Sequence, residues 1–125
     1  MPSITCIHVE RRQAIQALEL AKQARHILES KKGMDIVILD VIGLTNVADY
    51  FVLATGTSGP HLKAMFEQVW FDLKKQGSPC SRKAGNPDSG WMALDYYDVL
   101  VHLFTESRRD YYSLEDLWSK AKRIP

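Results

Sequence analysis

Two short groups of residues in this sequence have the types and spacing that chemistry requires. The turn Gly56-Thr57-Ser58-Gly59 separates an apolar run from a helical pattern, so its backbone N–H groups could bind a phosphate. Asp95 and Asp98 could hold a divalent metal ion. The turn lacks the spacing of the known phosphate-binding loops, and Ser58 could simply cap the helix. The two aspartates also suit an ordinary turn, so both interpretations stay open.

The histidines and cysteines form no pattern of ligands or nucleophiles. The four histidines are scattered along the chain: His8, His26, His61 and His102. A histidine in an apolar run, as His102 is, belongs more often to a core or an interface than to a catalytic base. A dyad of Cys80 with His102 has no local support. Cys6 and Cys80 form no C-x-x-C pair, which favours a reduced, cytoplasmic setting. We expect no cofactor and no metal ion.

The tryptophans are candidates for packing or for recognition. Trp70 lies on the apolar stripe of a predicted helix, so we expect it in the core. Trp91 follows a polar loop and begins an apolar run, so it either fills the core or anchors an interface. Tyr111, Tyr112 and Trp118 near the C-terminal end allow the same two interpretations.

Three helices are predicted around these residues. Apolar residues recur at helical spacing from Arg11 to Ser30, and Gly33 is expected to supply the left-handed residue that ends this helix. A second apolar stripe, from Leu62 to Leu73, predicts a helix that ends at Gly77. A short third helix is predicted from Ser107 onward.

Five short segments are predicted to be strands. They are Ile36–Leu39, Tyr50–Ala54, Cys80–Lys83, Trp91–Leu94 and Val99–Phe104. The last two flank a four-residue turn and form a hairpin, while the helix after the second strand permits a right-handed crossover. The order of elements therefore predicts an α/β fold with a mixed β-sheet of about five strands and helices packed on it.

Length, composition and charge narrow the class of protein. The 125 residues, 46% of them hydrophobic and 25% charged, fit a single domain over residues 1–125. No apolar run is long enough to suggest a membrane span, and the N-terminal residues do not resemble a secretory signal. Sixteen basic residues nearly balance fifteen acidic ones. This balance argues against nucleic acid as the primary partner, although it is compatible with a local basic patch.

Three sets of residues resemble the ribosomal silencing factor family, also called the Iojap-related family. They are residues 35–41 with 48–58, Trp91 with residues 94–104, and residues 108–118. They occur in the family's order and cover most of a core over about residues 14–119. One position departs from the pattern, because Ala84 stands before Gly85 where the family usually carries an acid. The departure puts in doubt any role for charge in that loop.

The resemblance implies a fold related to nucleotidyltransferases without their catalytic residues, so we expect no enzyme. It implies binding to ribosomal protein L-fourteen on the large ribosomal subunit, in the cytoplasm. There the family blocks joining of the small subunit and lowers translation when nutrients are scarce. We also expect a weak homodimer when the protein is free, because an interface without its partner can pair with itself.

The expected partner-binding residues lie around the predicted hairpin and just beyond it. They are Trp91, Met92, Asp95 and Tyr96, with Asp98 and Arg108 in second place. Ribosomal proteins are usually basic, so an edge that carries aspartates and a tryptophan would complement one. The alternative is a nucleotide-binding domain or a nucleotidyltransferase-like enzyme, which would use the four residues Gly56, Ser58, Asp95 and Asp98.

Overall fold

The computed structural model describes residues 17–44, 48–78, 80–106 and 122–124. These residues form one six-stranded sheet in the order β3-β4-β5-β2-β1-β6. The strands are β1 (Met34–Asp40), β2 (Tyr50–Gly56), β3 (Arg82–Asn86), β4 (Trp91–Asp95), β5 (Val99–Thr105) and β6 (Lys122–Ile124). Helix α1 is described over residues 17–30, α2 spans Gly59–Lys75, and a short 3-10 turn spans Pro87–Ser89. The predicted fold class, α/β with a mixed sheet, is confirmed.

The strand directions follow from the connections between the strands. Strands β2 and β5 are parallel, and every other neighbouring pair in the described sheet is antiparallel. The chain travels from β2 to β5 by way of α2, β3 and β4, which provides the long connection that a parallel pair needs. Strands β4 and β5 form the predicted hairpin around residues 95–98.

The sheet differs from the prediction at its two edges. Strand β3 begins at Arg82 rather than Cys80, runs to Asn86, and is exposed along its whole length. Strand β6 was not predicted, because it is only three residues long and two of them are charged. Both edge strands lack the apolar alternation by which a half-buried strand is recognised in a sequence. The count of six strands replaces the expected five.

Strand alternation divides the apolar residues between the two faces of the sheet. One face packs against α1 and α2 and contains Ile38, Val52, Leu94 and Leu103, all completely buried. A second buried cluster lies on the opposite face and consists of Leu39, Val41, Ala48, Phe51, Leu53 and Phe104. The central strand β2 is buried from end to end, as expected for a strand with both faces covered.

The start of α2 confirms the helix signals in the sequence. The Ser58 side chain accepts a hydrogen bond from the His61 N–H at 3.2 Å, and proline occupies the first turn. Gly77 follows the helix with a φ of 92°. The end of α1 differs from the prediction, because Lys32, with a φ of 62°, is the left-handed residue. Gly33 instead allows close packing, since a Cβ there would lie 3.1 Å from the sulfur of Met65.

Some predicted features lie outside the described residues. They include the first turns of α1, the predicted helix from Ser107 and the side chains of Arg108, Tyr111, Tyr112 and Trp118. Within the described ranges, neither helix is long and apolar enough to cross a membrane.

Candidate partner-binding surface

Strand β4 separates the predicted contact residues into two groups. Met92 and Leu94 point toward the helices, whereas Trp91, Ala93 and Asp95 alternate with them on the opposite face. Only 7% of Met92 and 5% of the following Tyr96 is exposed, and both belong to the helix-side core. Their side chains therefore hold the strand in place. Of the predicted contact residues on β4 and in the following turn, Trp91, Asp95 and Asp98 stay candidates for direct contact with a partner.

Trp91 is half-buried, so it is neither a fully buried core residue nor a fully exposed one. Its side chain packs against the second apolar cluster, and the residue stays partly accessible. The indole and the His102 imidazole are nearly parallel, with an interplanar angle of 24° and centroids 6.5 Å apart. His102 in turn stacks on Phe104 at 6.0 Å and meets Phe51 edge-on at 5.6 Å. An aromatic row across β4, β5 and β2 thus supports the tryptophan from below.

Burial keeps the imidazole beneath Trp91 uncharged. It lowers the pKa of His102 from 6.5 to about 4, because an imidazolium in this position would lose most of its hydration. The indole Nε1 lies 3.5 Å from His102 Nδ1, at the outer limit of a hydrogen bond. The neutral ring therefore acts as a packing surface at physiological pH, with Nδ1 as the acceptor in the tautomer that this contact favours.

Gly85 allows the indole to lie against the neighbouring strand. It pairs with Met92 across β3 and β4 and has a φ of 77°, in the left-handed region. A Cβ at this position would come within 2.2 Å of the Trp91 carbonyl oxygen and 2.8 Å of an indole carbon. The sequence analysis missed this role, although an isolated glycine in a strand does signal a close backbone approach.

The turn between β4 and β5 is built on the Asp95 carboxylate. Its Oδ1 accepts a hydrogen bond from the Tyr97 N–H at 2.8 Å, and this stabilises Tyr97 in a left-handed conformation with a φ of 68°. The Asp98 carbonyl accepts from the N–H groups of Asp49 and Tyr50 at 2.8 and 3.1 Å. Asp95 therefore has a structural role besides its charge, and any mutation must separate the two.

Three further carboxylates gather at the same end of the sheet. Asp40 pairs with Tyr50, whose parallel neighbour is the first residue of β5, so Asp40, Asp49 and Asp98 lie near one another. The pKa of Asp49 is raised, first by burial and then by the charges of Asp98 and Asp40. Among the described residues, no three His, Cys, Asp or Glu side chains are placed so that they could hold a metal ion together. The repulsion between these carboxylates indicates a negatively charged surface at this end of the sheet.

Exposed apolar side chains accompany these charges. At this end of the sheet, Ile42, Leu44 and Tyr97 are 51%, 45% and 73% exposed. Exposed apolar side chains beside several carboxylates are more typical of a recognition surface than of a packed core.

The structure does not assemble the residues of the alternative, enzymatic interpretation. Gly56 and Asp95 pair with Thr105 and Leu100, which are five positions apart along β5. The glycine turn and the aspartate turn therefore lie at opposite ends of the sheet, about 17 Å apart at roughly 3.3 Å per residue. That separation is too large for a metal ion at the aspartates to reach a phosphate at the turn.

Hydrogen bonds within the glycine turn and the first turn of α2 already engage groups that a phosphate would need. The Thr57 N–H donates to His61 Nδ1 at 2.9 Å, and the His61 N–H donates to Ser58. A Cβ on Gly59 would lie 2.9 Å from the Pro87 carbonyl, whose negative end would repel a phosphate. The capping interpretation of this turn is therefore the one that the geometry supports.

The structure also separates Cys80 from His102, the pair that the sequence analysis disfavoured as a catalytic dyad. Cys80 packs on the helix side of the sheet, and its S–H donates to the Arg82 carbonyl at 2.9 Å. His102 lies on the other face, between Trp91 and Phe104. Burial raises the pKa of the Cys80 thiol, which further disfavours a nucleophile.

The described residues thus form a small mixed α/β domain with a half-buried tryptophan on one face of its sheet and a group of carboxylates at one end. A family profile described as "Ribosomal silencing factor during starvation" matches residues 14–125. The chain belongs to this family, and its role is ribosome-associated silencing. The resemblance seen in the sequence is confirmed.

Individual relatives agree with this assignment. A ribosomal silencing factor from Chromobacterium violaceum is 36% identical over 104 residues, which cover 83% of this chain and 85% of the relative. A crystal structure of a protein from that organism, 36% identical, superposes with a TM-score of 0.78 over 82% of this chain and 85% of the other. A mouse relative named "Mitochondrial assembly of ribosomal large subunit protein 1" is 30% identical over 96 residues, 74% of this chain and 42% of that protein.

Proposed function

We propose that this protein binds the large ribosomal subunit through ribosomal protein L-fourteen and blocks joining of the small subunit, in the cytoplasm. The observation that carries the proposal is the Trp91 indole, held by Gly85 and His102 on the face of β4 that also carries Asp95, in a chain that belongs to the silencing factor family. The name of the mouse relative supports the large subunit as the partner. That bacterial relatives are named as silencing factors rather than enzymes fits a binding role.

The charge distribution fits a basic protein partner. Asp95 stands on the Trp91 face of β4, and Asp40, Asp49 and Asp98 lie at the end of the sheet toward which β4 runs. These acids lie at the far end of β4 from Trp91, since Trp91 and Asp95 pair with residues four positions apart along β5, or about 13 Å at roughly 3.3 Å per residue. They would steer a basic surface toward one end of this face and set its orientation relative to the indole. The central indole, once buried by the partner, would supply most of the binding free energy.

We infer that silencing works by occupancy. A folded domain anchored beside the intersubunit face takes up space that the small subunit would otherwise fill, so no catalytic turnover is required. Inhibition of joining should then follow the fraction of large subunits that carry the protein. The residues of the enzymatic alternative are not brought together, which leaves occupancy as the simplest mechanism.

Co-sedimentation with purified subunits tests the choice of partner. The protein should sediment with large subunits and should bind isolated L-fourteen. It should not sediment with small subunits. A variant of L-fourteen with reversed charges should lose the interaction, because Asp95 and the acidic end of the sheet would then meet negative charges. Binding to the small subunit alone would overturn the proposal.

We also propose that the free protein forms a weak homodimer through the same surface. The partly exposed Trp91 and the exposed Ile42, Leu44 and Tyr97 would be covered by a second copy when L-fourteen is absent. Sedimentation equilibrium should then show a dimer that L-fourteen dissociates. A monomer at every concentration up to hundreds of micromolar would contradict this.

A further inference from the structure

The outer face of α2 and the adjoining strand β3 form a second surface that the proposed function does not use. It is a groove whose lining includes Lys31, Glu67, Trp70, Phe71 and Lys83. Phe71 is 52% exposed, although it lies within a helix that packs on the sheet. Trp70, which the sequence predicted to be in the core, is only partly buried and presents its ring to this groove. Two aromatic rings are therefore accessible here.

Lysine ammonium groups lie over both of these rings. Lys83 and Lys74 place their nitrogens 4.4 and 4.8 Å from the centre of the Trp70 ring, and Lys75 lies 5.5 Å from that of Phe71. These are the distances of cation–π contacts, which are weak when they are exposed. Lysines at such positions can leave the rings at low cost when a stronger anionic partner arrives.

The cations on this surface outnumber the acids. Lys74, Lys75 and Lys83 cover the rings and Lys31 lines the groove, while α2 contains the two acids Glu67 and Asp72. The whole chain has a net charge of only +1, so positive charge here is balanced by negative charge elsewhere, including the acidic end of the sheet. The near-neutral composition thus conceals a local basic patch.

We propose that this basic-aromatic face binds single-stranded RNA. Phosphates would draw the lysine ammonium groups off the rings, and the exposed faces of Phe71 and Trp70 would then stack against bases. Paired lysines and aromatic rings are the general means by which proteins hold single strands without reading their sequence. A peptide of acidic residues alone would satisfy the lysines, but it supplies no aromatic planes to stack on the two rings.

The two surfaces can be occupied at the same time. Lys83 projects from β3 toward Trp70 on the helix side, whereas Trp91 and Asp95 belong to the opposite face of the sheet. A particle made of RNA and basic protein could therefore contact the domain on both sides. This inference goes beyond the proposed function and does not depend on L-fourteen.

Fluorescence anisotropy with the purified full chain and a labelled, unstructured 12-nucleotide RNA tests the inference without ribosomes. We expect salt-dependent binding that K83E weakens and K22E, the same charge change at an exposed position on α1, leaves unchanged. The triple variant K74E/K75E/K83E should reduce the slope of log affinity against log salt by about 2, since each phosphate contact on a single strand contributes about 0.7.

The aromatic part of the proposal has its own test. F71A should weaken RNA binding by about 5- to 150-fold, the range of base–aromatic stacking, without changing the salt slope. F71A should not alter binding of poly-glutamate. Circular dichroism and thermal melts of every variant confirm that it folds. Wild-type protein that fails to bind the RNA would overturn the proposal. So would equal losses for K83E and K22E, or an F71A variant that binds the RNA as tightly as wild type does.

Discussion

Two tryptophans, Trp91 and Trp70, lie on opposite sides of the sheet, and the molecule holds them in different ways. Trp91 rests on a neutral imidazole, beside a glycine that allows no other side chain, and it follows a tight backbone turn. Trp70 lies on a helix under two lysines on flexible stems. The first is preorganised and suits one partner surface, while the second can adapt to many. The comparison predicts that substitutions around Trp91 change specific docking and those around Trp70 do not.

The largest expected effect comes from W91A. It should weaken docking on the large subunit by about 2–4 kcal/mol, which is about 30- to 1,000-fold in affinity, as for a central aromatic hot spot. W91F should retain part of the affinity because it keeps the stack on His102. The affinity of each variant for purified large subunits, measured with thermal melts, separates docking from folding. W70A is the matched control for binding to isolated L-fourteen, which contains no RNA, and an equal loss from W70A there would remove the distinction between the two sides.

A second prediction concerns stability against pH. The pKa of His102 is about 4 in the folded protein against an ordinary 6.5, so the unfolded chain takes up a proton between these values and the folded chain does not. The contribution of this group to stability is therefore fully present above pH 6.5 and is lost as the pH falls toward 4. The loss should total about 3 kcal/mol at 1.36 kcal/mol per pKa unit.

Denaturant titrations of wild type and H102F at pH 7 and pH 4.5 measure this effect. Comparing the two proteins isolates His102 from other groups, including Asp49, whose raised pKa acts in the opposite direction. We expect H102F to lose clearly less stability on acidification than the wild type. Identical losses would show that the imidazole beneath Trp91 titrates normally.

Gly85 should matter for docking without contacting the partner. G85A forces a side chain into a left-handed backbone position and against the Trp91 carbonyl and indole, so it should lower the free energy of unfolding by about 1–3 kcal/mol. Docking should weaken by about tenfold, or about 1.4 kcal/mol, because the indole moves. G77A, at a left-handed glycine with open space around it, should cost stability but leave docking intact. Wild-type docking by folded G85A would refute the positioning role.

The smallest expected effect comes from the charge of Asp95. D95N keeps the acceptor for the Tyr97 N–H and removes only the charge, so it should cost about 0.5–1 kcal/mol of docking and little stability. D95K should cost more in both, because the turn loses its acceptor and a cation meets a basic partner. Raising the salt concentration should shrink the D95N effect if the charge lies on the rim. A D95N loss as large as that of W91A would place the aspartate at the centre of the interface.

The sequence was most informative where one local signal decides the structure. Ser58 and Pro60 predicted the start of α2, and the residues from Asp95 to Asp98 predicted the hairpin, because caps and turns depend on neighbouring backbone. The polar edge strands β3 and β6 were misplaced or missed, since pairing on one side does not require an apolar pattern. Local signals of this kind carry no information about which strands lie beside one another.

The site itself depends on such non-local contacts. That Gly85 meets Trp91, that His102 lies beneath it, and that Met92 and Tyr96 are core residues all follow from strand register. A residue type alone could not show that Trp91 is both packed and exposed. Nor could the net charge reveal the basic patch around Trp70, because composition averages over the whole surface.

Subunit joining measured against occupancy is the most direct test of the central claim. Purified large subunits would be titrated with wild-type protein, W91A and W70A, and bound protein and joined particles would be measured in the same samples. We predict that joining falls in proportion to occupancy and that all three proteins follow one curve of joining against occupancy. W91A should differ only in needing a higher concentration to reach the same occupancy. Large subunits saturated with wild-type protein that still join small subunits at the uninhibited rate would contradict the prediction.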